Sequence, residues 1–253
     1  MANTFYEPGA QRAAKVSALF ARIAPRYDLV NDLQSFGLHR LWKRRVSTLA
    51  RPQPGERALD LCCGTGDLAF ALARQGAEVI GLDFSAPMLA VADGRGRRSA
   101  CGSGGAATPR FVQGDAQAVA FADNSFDMVT VGYGLRNLAD WQVGLREMVR
   151  LARPGGRLLV LDFGKPANPV WRALYFGYLR LFVPLLGLVF CGSASAYAYI
   201  LESLKHYPAQ EGVAAAMRDL GLEKVRIVNL MGGIMSINYG EKRAVGAGEA
   251  LKC

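Results

Sequence analysis

Short apolar runs alternate with amphipathic segments through the middle of the chain. Each run has the length and composition of a buried strand, and most are followed by a segment with helical spacing of its apolar residues. Successive strand–helix units build a mostly parallel sheet with helices on both faces, so the pattern predicts an α/β domain with a three-layer, Rossmann-like sheet of about seven strands. The predicted strands are RALDLC (57–62), AEVIGLD (77–83), RFVQGD (110–115), FDMVTVGY (126–133), RLLVLDF (157–163), KVRIVNL (224–230) and IMSINYG (234–240).

The amino-terminal part of the chain has helical spacing without strands. Residues 12–24 place apolar side chains at the intervals of an amphipathic helix, and residues 38–50 form a second, basic segment of the same kind. The stretch RPQPGE, with two prolines and a glycine, separates them from the first strand. We therefore expect residues 1–51 to form a helical lid that contributes to the substrate region.

Two segments interrupt the α/β pattern. Residues 94–109 are rich in Gly, Ser, Ala and Arg, a composition typical of a mobile loop. Residues 173–191 are strongly apolar, but Arg180 and Pro184 argue against a membrane span, which needs about 20 apolar residues. A core helix and an interfacial helix both stay open. The predicted divisions are residues 1–51, residues 52–245 with an apolar helical insertion at 173–195 before the last two strands, and a flexible tail at 246–253.

Composition sets broad limits on the function. The 253 residues are 51% hydrophobic and 20% charged, which fits one large ordered domain. The start MANTFYEPGA lacks the features of a signal peptide, so we expect a cytoplasmic protein. Five cysteines without a CxxC pair or a histidine cluster predict neither a metal site nor a disulfide framework. The net charge is +9, and most of it lies in residues 1–51, which hold nine basic and three acidic residues. Such a basic region is either a solvated helix or a surface that binds nucleic acid, a membrane or an acidic substrate.

The loop after the first predicted strand indicates a nucleoside site. In LDLCCGTGD (59–67), Gly64 and Gly66 allow a sharp turn and a close ligand approach. Parallel sheets bind ligands at the carboxyl ends of their strands, where this loop lies. Asp83 ends the second strand, and a carboxylate there accepts two hydrogen bonds from a ribose diol.

Two kinds of cofactor share that geometry. A dinucleotide needs a third small residue, and Ala69 occupies that place. Against it, Asp60 precedes the loop, where it can orient the loop and face a ligand amino group. Asp67 follows the second glycine, and Asp115-Ala116 ends the third strand, where a carboxylate can accept the adenine amino proton. Each acid alone fits a helix cap or a turn, but the ordered set favours the cationic S-adenosylmethionine over a pyrophosphate.

The chain resembles the ubiquinone/menaquinone biosynthesis C-methyltransferase family from about residue 15 to residue 240. The resemblance implies a class I methyltransferase fold, S-adenosylmethionine, and a polyprenylated benzoquinol or naphthoquinol substrate. NDLQSFGLHRLWK and GYGLRN are more specific to the family than the cofactor loop is. The matching segments are YDLVNDLQSFGLHRLWKRR (27–45), LDLCCGTGDLA (59–69), GLDFSAPML (81–89), FADNSFDMVTVGYGLRN (121–137), RPGGRLLVLDFGKP (153–166) and YAYILESLKHYP (197–208).

The resemblance also assigns cofactor contacts. Thr65, Asp83, Asp115 and Ala116 match the family's binding positions. A further position, often serine in the family, is Gly132 here and offers only its backbone.

Methylation of a ring carbon requires an ionised hydroxyl beside it, and a phenol has a pKa near 10. A neighbouring cation favours ionisation by roughly 1–3 pKa units. Our hypothesis is that Arg136 stabilises the quinolate, Asn137 orients it, His39 acts as base, and Tyr27 lines the pocket. The alternatives are a loop-shaping salt bridge for Arg136, a packing role for His39 and a core position for Tyr27.

The expected partners follow from the same hypothesis. They are a lipid-tailed quinol and a peripheral membrane contact through residues 173–191 and the basic lid; a homodimer stays open. The favoured ring is demethylmenaquinol, with a ubiquinone precursor and demethylphylloquinone as alternatives. A nucleic-acid methyltransferase, a nicotinamide-dependent oxidoreductase and a non-catalytic scaffold are the competing classes, and no nucleic-acid partner is expected.

Overall fold

A computed structural model describes residues 21, 24, 27–100, 108–191 and 195–244. The predicted helix at 12–24, apart from Ala21 and Ala24, and the predicted tail at 246–253 lie outside the described residues.

The core of the protein is a seven-stranded sheet of order β3-β2-β1-β4-β5-β7-β6. Strands β1 to β5 pair in parallel, whereas β7 is antiparallel to both β5 and β6. The α/β class and the strand number are thereby confirmed. The strands are β1 Arg57–Leu61, β2 Glu78–Asp83, β3 Arg110–Gln113, β4 Phe126–Gly132, β5 Ala152–Phe163, β6 Leu222–Leu230 and β7 Met235–Lys242.

The central strands are buried because helices cover both of their faces. Six of the seven residues of β4 are buried, as are four of the five residues of β1, which explains their largely apolar sequences. The helices are α1 Tyr27–Ser35, α2 Leu38–Ala50, α3 Asp67–Ala73, α4 Ala86–Ala100, α5 Trp141–Leu151, α6 Pro169–Cys191, α7 Ser195–His206 and α8 Ala209–Asp219, with short 3-10 turns at Leu135–Asn137 and Met231–Gly233.

The strand order reverses between β1 and β4, because β2 follows β1 on one side and β4 pairs with it on the other. A reversal of this kind leaves a crevice at the carboxyl ends of the strands. The loops after β1, β2, β3 and β4 meet there.

The lid helices are part of the main core. Val30 of α1 and Trp42 and Val46 of α2 are buried in the same apolar cluster as β1 and β4. Gly37, with φ of +74°, forms the sharp turn between the two helices. The lid is therefore anchored by hydrophobic packing.

The apolar insertion forms one 23-residue helix, α6, with Pro184 inside it. By length and composition alone, Pro169–Val189 qualifies as a candidate membrane span. However, Tyr175, Leu179 and Val183 are buried against the protein. The helix thus combines a core face with a broad exposed apolar face, so neither of the two expected roles excludes the other.

The loop predicted at 94–109 is partly wrong. Helix α4 continues to Ala100 through Gly94 and Gly96. A Cβ atom at Gly96 would lie 3.1 Å from Thr108 Cγ2, so the glycine permits a close approach to the segment before β3. Packing thereby overrides the low helical propensity of glycine.

Candidate active site

A cleft opens above the carboxyl ends of β1 to β4. It encloses about 820 Å³, including space open to solvent, which is in the range of a nucleotide-sized ligand. Of the residues singled out in the sequence, the cleft is lined by Tyr27, Gly64, Asp83, Asp115, Ala116, Gly132 and Asn137.

Asp83 stands at the centre of the acidic side of the cleft. Its Oδ2 accepts a hydrogen bond from the backbone N–H of Gly64, and its Oδ1 accepts one from Ser85, both at 2.8 Å. Burial raises the pKa of Asp83, and these backbone donors oppose the rise. A carboxylate has about four acceptor positions, so two stay available for a ribose diol.

The two glycines of the loop have different roles. Gly64 has φ of +56° and nothing within 4 Å of a Cβ atom built on it, so a side chain there would extend into the cleft. Gly66 does not line the cleft. A Cβ atom on Gly66 would lie 2.7 Å from the ring of Phe111, so this glycine makes room for packing behind the loop.

The third strand contributes Asp115 and Ala116. Asp115 is exposed, and its Oδ1 accepts a hydrogen bond of 2.8 Å from the backbone N–H of Gln117. Ala116 is buried beside it at the cleft wall. Gly132, at the end of β4, lines the opposite side. These positions fit the adenosine part of S-adenosylmethionine.

Asp60 lies beneath the loop. It is 1% exposed, and its Oδ1 accepts a hydrogen bond of 2.8 Å from Thr130 Oγ1. Burial raises its pKa to about 7, while Thr130 and the backbone N–H of Ala69 oppose that rise. Asp60 therefore supports the loop, which is one of its two expected roles, and does not line the cleft, so the expected contact with a ligand amino group is not seen.

The pKa of Asp60 gives a testable dependence of stability on pH. Because the raised pKa means that the folded state favours the neutral form, the stabilisation is complete below the unfolded pKa of 3.8 and is lost as the pH rises through about 7. We expect Asp60→Asn to raise the free energy of unfolding at pH 8 by roughly 1 kcal/mol or more, and to have little effect at pH 4. Urea unfolding at the two pH values measures the difference; an equal effect at both would contradict it.

Thr65 belongs to an ion-pair network that joins the lid to the cofactor loop. Its Oγ1 donates to Asp28 Oδ1 at 2.8 Å, and the residue is 2% exposed. Arg95 contacts Asp28 and Asp67, and Lys43 Nζ lies 2.7 Å from Asp67 Oδ2. Thr65 thus holds the loop against α1 and does not line the cleft.

Sequence reasoning did not single out Lys43 within the basic helix. Its buried position was visible in the spacing, since Lys43 falls on the same helix face as the buried His39, Val46 and Ala50. A lysine on an apolar face requires a partner, and Asp67 provides it.

The GYGLRN segment places an aromatic and an amide group in the cleft. Tyr133 has φ of +63°, a left-handed conformation that is uncommon for a tyrosine. Asn137 Nδ2 donates to the Tyr133 carbonyl oxygen at 3.0 Å. Tyr27 faces them from α1, and burial raises its pKa. The predicted positions of Tyr27 and Asn137 thus meet on one side of the cleft.

Arg136 lies behind this wall. It is 5% exposed, pairs with Asp162 at 2.7 Å, and donates to the Tyr133 carbonyl oxygen at 2.7 Å. Its guanidinium carbon is 4.5 Å from the centre of the Phe163 ring. This is the loop-shaping salt bridge named above as the alternative. Its charge still acts on the cleft, because it lowers the pKa of Tyr27 against the effect of burial.

His39 does not line the cleft. It is 3% exposed, and its Nε2 lies 2.8 Å from Asp32 Oδ1. Burial lowers its pKa, with Lys43 adding to the effect. The geometry favours the packing role over that of a base. No cluster of potential metal ligands occurs among the described residues.

The reversed seventh strand and the acidic cleft at the switch point of the sheet define a class I S-adenosylmethionine-dependent methyltransferase. The chain belongs to the ubiE/COQ5 methyltransferase family, whose model matches residues 9–242.

Known proteins support both the methyltransferase class and the family. The chain is 43% identical to the ubiquinone/menaquinone biosynthesis C-methyltransferase UbiE of Ectopseudomonas mendocina, over 93% of this chain and 91% of the relative. It is 40% identical to the demethylmenaquinone methyltransferase of Desulfitobacterium hafniense, over 92% of each chain. A solved methyltransferase from Thermotoga maritima, described as a possible histamine N-methyltransferase, superposes with a TM-score of 0.64 at 18% identity, over 90% of this chain and all of that one, and so supports the fold.

Proposed function

We propose that this protein transfers the methyl group of S-adenosylmethionine to a ring carbon of a polyprenylated quinol, and that its substrate is demethylmenaquinol. The family and the relatives support a methyltransferase of quinone biosynthesis. The name of the Desulfitobacterium relative favours the naphthoquinol ring.

One observation carries the proposal. A single cleft has carboxylates at the strand ends on one side and, on the other, Tyr27, Tyr133 and Asn137 under the lid. The acidic side fits a cationic nucleoside, and the aromatic side fits a planar ring with oxygen substituents. The two reactants would therefore meet inside one cleft.

The residues of the cleft have distinct tasks in this mechanism. Asp83 binds the ribose, and the backbone at Ala116 and Gly132 borders the nucleoside. Tyr27 and Tyr133 exclude water, and Asn137 offers its amide group to a ring oxygen. S-Adenosylmethionine supplies the electrophilic methyl group. The ring carbon forms a bond to that methyl, the methyl–sulfur bond breaks with its electron pair staying on sulfur, and water then takes the ring-carbon proton, which restores the aromatic ring. Charge disappears as quinolate and sulfonium react, so a water-poor cleft favours the step.

Labelled cofactor provides the test. Purified protein is incubated anaerobically with methyl-labelled S-adenosylmethionine and one of three substrates. These are a short-tailed naphthoquinol, a short-tailed benzoquinol and a transfer RNA mixture. We expect label on the ring carbon of the naphthoquinol. Label on the benzoquinol alone would replace the proposed ring, and label in RNA alone would overturn the proposed function.

We also propose that the protein works from the cytoplasm and docks on the membrane surface to reach the lipid tail of its substrate. Helix α6 exposes a broad apolar face, and Phe36, at the adjoining turn of the lid, is 75% exposed. The Tyr178 hydroxyl of α6 donates to the Gln34 carbonyl oxygen of α1 at 2.6 Å, so the two apolar surfaces adjoin. Arg44 and Arg45 are exposed on α2, where cations attract anionic lipids. The large apolar side chains that α6 exposes are Val170, Trp171, Leu174, Leu181, Phe182, Leu185, Leu188 and Val189.

We expect Leu181→Glu, at a position 74% exposed, to reduce binding to anionic vesicles by about fivefold or more, because it places a carboxylate in the proposed lipid contact. Co-sedimentation with phosphatidylglycerol vesicles measures the effect. Ala215→Glu, on the exposed face of α8, is the matched control with the same change in charge. Equal binding of the two variants would contradict the assignment of this face.

A further inference from the structure

One arginine joins the amino-terminal end of helix α1 to the cofactor loop. Arg95 Nη1 lies 3.3 Å from Asp28 Oδ2 of α1, and the same nitrogen donates to the Thr65 carbonyl oxygen at 3.0 Å. The Nη2 of Arg95 donates to Asp67 Oδ1 at 2.5 Å. The Thr65 hydroxyl in turn donates to Asp28 Oδ1 at 2.8 Å. We call these four residues the latch, because they connect the lid, the cofactor loop and helix α4.

The latch lies directly beside residues that line the cleft. Tyr27 precedes Asp28 and lines the cleft from the lid, and Gly64 precedes Thr65 and lines it from the cofactor loop. The backbone N–H of Gly64 donates to Asp83, the carboxylate to which we assign the ribose. A ligand that fixes the loop at Gly64 therefore also fixes Thr65, and through the latch it restrains Tyr27 on the opposite side.

Helix α1 has few other contacts that hold it in place. Of its nine residues, all of them described, Val30 alone is buried, whereas six residues of α2 are buried. The two helices meet at Phe36 and Gly37, which have φ of +52° and +74°. An element with few buried apolar contacts opens more easily than the core does. The position of α1 over the cleft thus depends on its polar contacts, and α2 serves as its fixed base.

Arg95 is well placed to act reversibly. Its guanidinium carbon lies 5.4 Å from the centre of the Phe70 ring, so the side chain rests on α3. The side chains of Arg95 and Asp28 are 27% and 34% exposed, and ion pairs that water reaches contribute little to global stability. Asp67 has a second cation, Lys43 Nζ at 2.7 Å, so it keeps a partner if Arg95 is replaced. Loss of Arg95 should therefore release α1 without unfolding the protein.

We propose that Arg95 is a positioning residue that holds α1 over the cleft once S-adenosylmethionine has ordered the cofactor loop, so that the cofactor and the quinol each bind more tightly in the presence of the other. This role rests on the proposed function and adds to it the order of binding, with the cofactor first. Closure of α1 after the cofactor has bound would also exclude water from the cleft before methyl transfer. Because binding free energies are linked, the quinol must strengthen cofactor binding by the same factor.

Hydrogen exchange tests the latch without a quinol. The amides of residues 27–35 are followed in free protein and at saturating S-adenosylhomocysteine. In wild-type protein we expect the ligand to slow their exchange by about fivefold or more, and in Arg95→Met by about twofold or less. Arg97→Met is the matched control, because Arg97 is exposed on the same helix and the change in charge is the same. It should behave like wild type.

Calorimetric titration tests the coupling between the two reactants. Short-tailed naphthoquinol is titrated anaerobically into protein with and without S-adenosylhomocysteine. We expect Kd to be about fivefold or more lower with the nucleoside in wild type, and equal within about twofold in Arg95→Met. Asp28→Asn should lose most of the same coupling, and the double variant should lose no more than Arg95→Met alone, since both residues belong to one network.

The outcomes separate the latch from the proposed function. Wild-type protein that methylates the quinol, together with Arg95→Met that keeps both the slowed exchange and the coupling, would overturn the latch and leave the function intact. Additive losses in the double variant, or a lower Tm with unchanged coupling, would also overturn it. Wild-type protein that methylates no quinol would overturn the proposed function and the coupling to the quinol, even if S-adenosylhomocysteine slows exchange in α1 through Arg95.

Discussion

Asp83→Ala is expected to weaken the binding of S-adenosylmethionine by about a hundredfold or more. The carboxylate holds the backbone N–H groups of Gly64 and Ser85 at 2.8 Å and offers its other acceptor positions to the ribose. The variant would lose the ribose contacts and leave the N–H of Gly64 without its acceptor, so two losses of about 1–3 kcal/mol each add together. Calorimetric titration with S-adenosylmethionine measures the change.

The control for Asp83 should remove a carboxylate without touching the cleft. Asp93→Ala does so on the exposed part of α4, and we expect wild-type affinity. Asp83→Asn keeps an acceptor oxygen and should show an intermediate loss. Cofactor affinity within twofold of wild type for Asp83→Ala would show that the nucleoside lies elsewhere.

The fold was predictable because its signals are local. The largely apolar sequence of β4 reflects burial on both faces, and the carboxyl ends of β1 and β2 were recognisable from Gly64 and Asp83. Helix α4 was misread at Gly94 and Gly96, and the close approach of Gly96 to Thr108 is a contact that the local sequence does not show.

The sequence predicted a site residue correctly only where its side chain lines the cleft directly from the end of its own strand. Thr65 bonds to Asp28, and Asp60 bonds to Thr130. Both partners are distant in the chain, and these contacts keep the two side chains away from the cleft. A motif shows which residues a loop contains. Which side of the loop each one faces is decided by tertiary packing.

The same limit applies to the residues that sequence reasoning missed. Lys43 and Tyr133 lie in segments that were described by charge, strand pattern or family resemblance, and their contacts with the cofactor loop and the cleft arise from tertiary packing. Apolar segments conceal single polar atoms, since a tyrosine in a hydrophobic run reads as one more core residue.

Arg136→Ala is expected to destabilise the protein by about 3–5 kcal/mol and to reduce turnover by about a hundredfold or more. The first effect arises because the variant leaves the Asp162 carboxylate, 3% exposed, without its partner. The second arises because Arg136 and Asn137 both donate hydrogen bonds to the Tyr133 carbonyl oxygen, and because the charge of Arg136 acts on the cleft. Urea unfolding and the labelled-methyl assay measure the two effects.

A double variant separates stability from catalysis. Arg136→Met combined with Asp162→Leu removes both charges, and apolar replacement of a buried ion pair restores most of the lost stability. We expect turnover to stay about a hundredfold low in this variant while affinity for S-adenosylmethionine stays near wild type. Arg153→Ala is the control: it breaks a pair with Asp127 whose arginine is 54% exposed, and should cost about 1 kcal/mol or less. If the double variant recovers both stability and turnover, the guanidinium serves only the fold, and stabilisation of the quinolate falls to Asn137 and the other residues that line the cleft.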